Sequence, residues 1–442
     1  MKKLIALLLA LVMVLSLAAC GAKEEAPAAE APKADAPAAE APAAPAEAEV
    51  LEFYHGYFHA ESEWPAAKVM RDIYDEFAAQ HADGPVVFKP IAVENRDEIV
   101  SAQLAGGNYP DLVDLGSTIP AAAIAQGLIL DLKPYIDENG LEAAVGLNYT
   151  QNLVDGAIYT VHDQIETRGL WYNAAVLEKA GATVEDLSTW EGVAATMEKV
   201  RALNDGTYGY AAGQGSLKMM YAMLAGTEEG RALLNSEISA DVINNPTFAT
   251  AFKTIAKMDQ DNGSAYTTPD VGNLMADFNA NGMAAMLSNG VWNASGIGAD
   301  LVDAIQPMVF PGNVSMATAG TGLTVSANMS EAKTALALEF VKYMVSEEVQ
   351  TKIFLGVQAN PCNSTIDLNA LAAESGDPVV QKLALACSLC NGADIIVSDV
   401  SYTWGGDVGN SIINALMECA TAGTDIDARF ELLQKELLAL IG

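Results

Sequence analysis

Between residues 50 and 115 the apolar pattern changes period again and again, and that alternation limits the possible folds of this 442-residue chain more than any other feature. Residues 50–54 (Val-Leu-Glu-Phe-Tyr) have the bulky, alternating character of a strand, and 64–81 then place Val69, Met70, Ile73, Tyr74 and Phe77 on one helical face. A second strand over 86–91, a helix over 96–105 and a short strand over 112–115 keep the same rhythm, the last after Tyr109-Pro110-Asp111. Strand and helix in succession predict an α/β layout built on a mainly parallel sheet with helices on both faces. The rhythm resumes with a strand over 169–173 that runs into a helix over 174–180 closed by Gly181, and with helices over 189–203 and 248–259 around an extended stretch at 208–212. A short buried strand over 282–290 leads to Trp292, and helices over 331–344, 347–354, 408–422 and 429–441 follow.

The first 49 residues obey other rules. Met1-Lys2-Lys3 and the apolar run 4–19 have the basic start and short apolar stretch of an export signal, and the run is short for a membrane-spanning helix. It ends in Leu17-Ala18-Ala19-Cys20-Gly21, which resembles the lipobox of bacterial lipoproteins. That resemblance implies removal of 1–19, lipidation of Cys20, and attachment to the outer face of the bacterial cytoplasmic membrane. Residues 21–49 are almost only Ala, Pro and Glu, a composition that cannot bury a core, so 20–49 reads as a tether carrying the lipid.

Charge narrows the partners. Lys and Arg number 23 against 57 Asp and Glu, a formal net charge of −34 that repels phosphate backbones and excludes nucleic acid as a partner. The four cysteines after Cys20 are Cys362, Cys387, Cys390 and Cys419. Cys387 and Cys390 form a C-x-x-C inside an apolar helical stretch with no second Cys pair or nearby His, so buried thiols or a disulfide are expected there, with no metal, and the pairing stays open. The histidines His55, His59, His81 and His162 are scattered, and no nucleophile motif or metal-binding helix motif occurs, so neither an enzyme nor a cofactor is expected. Ala319-Gly320-Thr321-Gly322-Leu323 lacks the Lys and the following helix of a phosphate loop.

Several fragments, in order, resemble one family. They are Tyr109-Pro110-Asp111-Leu112-Val113, Gly127-Leu128-Ile129-Leu130-Asp131-Leu132, Asp155-Gly156-Ala157-Ile158-Tyr159 and Leu170-Trp171-Tyr172-Asn173 with Lys179-Ala180-Gly181. Thr189-Trp190, Gly282-Met283-Ala284-Ala285-Met286 with Gly290-Val291-Trp292, Gly322-Leu323-Thr324-Val325 and Ser346-Glu347-Glu348-Val349-Gln350 continue the series. Together they are similar to the extracellular solute-binding proteins of family 1, the sugar-binding receptors of ABC importers. The resemblance implies a two-lobed periplasmic-binding-protein-like α/β fold, a hinge of several chain crossings, a ligand cleft between the lobes, and a monomer that delivers its solute to a membrane permease. It places lobe one at 50–163 and 318–375, and lobe two at 164–317 and 376–442.

A sugar presents apolar C–H faces ringed by hydroxyls, so its site needs aromatic platforms and paired polar groups. By the resemblance, Trp292 and Trp404 are the expected platforms, with Tyr402 beside the second. Glu166 falls at a hinge-proximal ligand position, with Arg168 two residues on and on the same strand face. Tyr54 and His55, in the aromatic loop after the first strand, and Gln214, in Ala212-Gly-Gln-Gly215, complete the expected set. Trp171 and Trp190 read as packing residues. A cationic or phosphorylated solute is the alternative, served by Glu52, Glu61, Glu94, Asp114 and Glu166, or by Arg96, Arg168 and Lys218.

Overall fold

Leu51, Phe53 and His55 alternate onto the buried face of the first strand, Glu49–His55, while Glu52 and Tyr54 face outward. The computed structural model to which this strand belongs describes residues 48–116, 121–263, 271–400 and 403–442. Glu49–His55 lies between two parallel neighbours, Val86–Ala92 and Leu112–Asp114, and Leu323–Val325 closes the edge antiparallel to the latter. The helices Pro65–Gln80 and Glu331–Met344 cover one face. Phe53, Tyr74, Phe88 and Phe340 pack there with ring centroids 4.6 to 5.9 Å apart, in the close, mostly tilted contacts that aromatic cores favour.

The second sheet departs from the expected parallel arrangement. Its long central strand, Ile165–Asn173, runs antiparallel to Val314–Ala319, Ala284–Gly290 and Ile305–Met308. Tyr208–Ala211 and Ile395–Val397 add parallel edges to two of these neighbours. The mixture arises because the central strand starts in the first core and enters the second from outside, against the direction of strands that begin within it.

Two of these strands carry the chain between cores. Ile165, Ala317 and Ala319 pack in the first core, with Leu51, Phe53 and Phe340, whereas Leu170, Val314 and Met316 pack in the second. A third crossing runs beside them: the Ile165 N–H donates to the Asn360 carbonyl at 2.8 Å, and the Asn360 side-chain amide donates to Thr167 Oγ1 at 2.7 Å. Cys362 still belongs to the first core, but Leu368 and Ala372 already pack with the helix Pro378–Asn391. The crossing thus falls between Cys362 and Leu368, ahead of the boundary at 375 that the resemblance implied, and the helix Leu368–Ser375 sits on its far side. Cys362, Cys387, Cys390 and Cys419 are all buried free thiols, and burial pushes Cys390 up to about 12, which suppresses the reactive thiolate.

Candidate functional site

The central strand Ile165–Asn173 puts Thr167 into the protein and leaves Glu166 and Arg168 half-buried on the opposite face, as the two-residue repeat of a strand requires. Glu166 lines a cavity of about 280 Å³ at the carboxyl ends of the first sheet's strands, together with Tyr57, Trp64, Arg96, Asp114 and His162. Arg96 stands at the start of the helix Arg96–Ala105, and its Nη1 donates to Asp114 Oδ2 at 2.8 Å. Its guanidinium lies close against the backbone at Gly56 and Gly116. A Cβ on Gly56 would come within 2.6 Å of it and one on Gly116 within 2.0 Å, so both glycines are required for the close approach. Burial raises the Asp114 carboxyl, with Arg96 and His162 opposing the rise, and burial likewise pushes Asp163 up to about 6 against the pull of His162. Trp64, just ahead of the helix Pro65–Gln80, rests against Tyr57 with ring centroids 5.2 Å apart yet stays 41% exposed, an indole face presented to solvent at the cavity rim.

Arg168 borders a second cavity, of about 270 Å³, whose walls come from the helix Gln214–Ala225, the strand Ala284–Gly290 and the helix Gly406–Cys419. The Arg168 guanidinium lies 3.4 Å from Glu166 and 3.7 Å from Asp399, and Lys218 is paired with the same buried Asp399. Burial lowers the Lys218 ammonium and Asp399 opposes that loss. Arg168 also stacks on Trp292, 4.7 Å from the ring centre, and the Trp292 ring covers Gly290, the residue paired with Arg168 across the sheet. Each cation bordering these two cavities (Arg96, Arg168, Lys218) therefore has a carboxylate partner.

The expected residues divide. Glu166, Arg168 and Gln214 line the two cavities, and Trp292 joins them through Arg168. Trp404 does not: it is 4% exposed in the second core, edge-on to Tyr221, with its indole N–H donated to the Ser236 carbonyl at 2.9 Å, so no face is left for a solute. His55 is 2% exposed among Phe53, Tyr57 and Tyr74, and burial pushes it down to about 4, a neutral core histidine whose Nδ1 accepts the Tyr57 N–H. Tyr54 turns to the other sheet face and donates its hydroxyl to Glu52 at 3.2 Å. Tyr402 and Cys20 lie outside the described residues. Trp64, absent from the expected set, is the exposed aromatic at the first cavity; its signal was an indole placed immediately before a helix-starting proline, where the ring has no core to enter.

Residues 72–378 match the family described as bacterial extracellular solute-binding protein. A solute-binding protein of Streptococcus pneumoniae, solved in complex with the blood group A-trisaccharide, is 42% identical to this chain, with 88% of this chain and 100% of that one covered and a TM-score of 0.76. The sugar-binding protein MalE of Xanthomonas citri, 18% identical, covers 89% of this chain and 98% of its own with a TM-score of 0.68, a likeness of fold. The arabinooligosaccharide-binding protein of Bacillus subtilis (strain 168) is 27% identical over 180 residues; the match spans 35% of this chain and 39% of that protein.

Proposed function

The chain belongs to the bacterial extracellular solute-binding protein family, and from that premise we propose that it is the capture subunit of an ABC importer for a carbohydrate, a binding protein without catalytic chemistry. The observation that carries the ligand class is the exposed Trp64 indole set beside Arg96, Asp114 and Glu166. An aromatic face bordered by paired, charge-balanced hydrogen-bonding groups suits the C–H face and hydroxyl rim of a sugar ring. The trisaccharide held by the 42% identical S. pneumoniae protein supports the same class.

In this reading the solute lies between Trp64 on lobe one and Trp292 on lobe two, over the Glu166–Arg168 pair of the hinge strand. A solute that touches both lobes favours the closed form by its differential affinity, and the closed form is what the permease accepts. Lobe one comprises 50–163 with the segment that returns from 318, and lobe two the remainder, the chain acting as a monomer. The lipobox-like Leu17–Gly21 and the Ala/Pro/Glu segment support processing after Ala19, lipid attachment at Cys20 and a tethered position on the outer face of the membrane.

Calorimetric titration of the purified protein with mono- and oligosaccharides, polyamines and polyol phosphates tests this. A sugar that binds, and whose affinity falls in both Trp64→Ala and Trp292→Ala, is the expected result. Binding confined to polyamines or phosphates would keep the receptor and overturn its ligand class.

A further inference from the structure

We propose that Arg71 is a positioning residue for sugar capture: from the helix Pro65–Gln80 it fixes the two residues against which the Trp64 platform leans. The inference rests on the carbohydrate reading above. Trp64 has little of its own to hold it. It occupies the N-cap of that helix with an extended backbone, φ −147° and ψ 93°, where a Ser, Asp or Asn would accept a backbone N–H and an indole cannot. Its ring meets two others, Tyr57 at 5.2 Å between centroids and, edge-on, His59 at 5.9 Å, and 41% of the residue stays exposed. The orientation of the indole at the cavity rim therefore follows from where Tyr57 and His59 stand.

Both stand in the loop 56–63, between the first strand and the helix. The hydrogen bonds inside that loop leave their two carbonyls unused: the Phe58 N–H donates to the Gly56 carbonyl, the Glu63 and Trp64 N–H groups to the Ala60 carbonyl, and the Ala60 N–H to Glu63 Oε2. Arg71 takes both. Its Nη1 donates to the Tyr57 carbonyl at 2.8 Å and to the His59 carbonyl at 2.7 Å, bonds strengthened by the charge of the guanidinium. Arg71 follows Trp64 by two helical turns, so the cation reaches back along the helix to the loop that precedes it. Tyr57 is held elsewhere as well, its N–H donated to His55 Nδ1 and its hydroxyl accepting from Gln164 at 3.3 Å. The His59 backbone has no other hydrogen bond among the described residues. Without Arg71 the chain around His59 is free to swing, and the indole must be ordered each time a sugar binds. Immobilising one such side chain weakens affinity roughly threefold to tenfold.

The test is a double-mutant cycle, read by calorimetric titration of the purified protein with glucose, galactose, fucose, cellobiose, raffinose and the blood group A-trisaccharide, using whichever of these binds most tightly. Arg71→Met is expected to raise its Kd roughly threefold to tenfold, but by less than about twofold in the Trp64→Ala background, where the platform is already gone. Arg71→Lys, a cation able to reach one of the two carbonyls, should recover part of the loss. Should Arg71→Met fail to fold, Arg71→Lys carries the same comparison, with a loss of about twofold expected when Trp64 is present and none in the Trp64→Ala background. An equal loss in both backgrounds, or no loss in either Arg71 variant, would overturn the positioning role and leave the carbohydrate receptor standing. Trp64→Ala binding as tightly as the native protein would overturn the positioning role together with the Trp64 platform. An absence of binding across all six sugars would overturn the carbohydrate reading and this inference with it.

Discussion

Replacing Asp259 by Asn should stabilise this protein, increasingly so as the pH rises. Asp259 lies on the helix Pro246–Asn262, 3% exposed, and its Oδ1 is buried without a hydrogen-bond partner. Burial pushes its carboxyl from the ordinary 3.8 up to about 7, opposed by the neighbouring Ser216 hydroxyl. The folded chain therefore keeps this proton to about pH 7, whereas the unfolded chain releases it near pH 4. Over that interval unfolding releases a proton, so the contribution of Asp259 to stability falls as pH rises and levels off above 7. At about 1.4 kcal/mol per pH unit, the loss accumulated by pH 8 is roughly 4 kcal/mol, of which roughly 1.5 is already present at pH 5. Asn has no proton to lose and escapes the loss. With an unfolding entropy of about 2.1 cal/mol/K per residue over roughly 400 residues, the remaining difference corresponds to about 3 °C in Tm. Thermal unfolding of the native protein and Asp259→Asn, followed by circular dichroism at pH 5 and pH 8, measures it. The variant's advantage should widen by about that amount between the two conditions; an advantage that stays constant or narrows refutes the buried, protonated carboxyl.

Other substitutions separate site from scaffold. Gly116→Ala places a methyl where the Arg96 guanidinium sits, so sugar affinity should drop about tenfold or more by titration while the melting temperature moves only a few degrees. Trp404→Ala removes a core indole and should cost about 3–5 kcal/mol in denaturant unfolding, with the Kd of the folded protein unchanged. Trp64→Ala should do the reverse, weakening sugar binding by roughly 1–2 kcal/mol with little change in stability, and Trp64→Phe should recover much of the loss. The thiols of Cys362, Cys387 and Cys390 should react with an aromatic disulfide reagent only after denaturant is added; rapid labelling of the native protein would contradict their burial.

Local pattern went far in the first lobe. The helices Arg96–Ala105 and Glu331–Met344 fall where periodicity placed them; the second pairs a buried face of Leu336, Ala337, Phe340, Val341 and Met344 with a Ser330 cap, whereas the first buries only Val100 and has acidic residues in its first turn. The strand Ile165–Asn173 begins four residues earlier than expected, since Glu166 and Arg168 on its cleft face broke the apolar run that marked it. The alternation Ile165, Thr167, Gly169 was there to be seen. So was the fate of His55, which shares the buried face of its strand with Leu51 and Phe53. Strand direction in the second sheet was not legible, because it depends on which core the chain has just left. Trp404 misled for a similar reason: it was expected at the site only by the resemblance, and its burial is decided by Tyr221 and Phe248, far away in sequence. Trp64 was the converse case, an indole left out of the expected set that touches only the rings of Tyr57 and His59 and stays 41% exposed.

The three crossings between cores also govern when this protein can fold. The first core needs Leu51 near its beginning and Cys362 more than three hundred residues later, and its sheet lacks an edge until Leu323–Val325 arrives. A chain emerging from the ribosome therefore cannot close either lobe ahead of the other and has no early folded half to obstruct its passage. The order in which residues are made thus leaves most of the length without a finished core until synthesis is nearly complete.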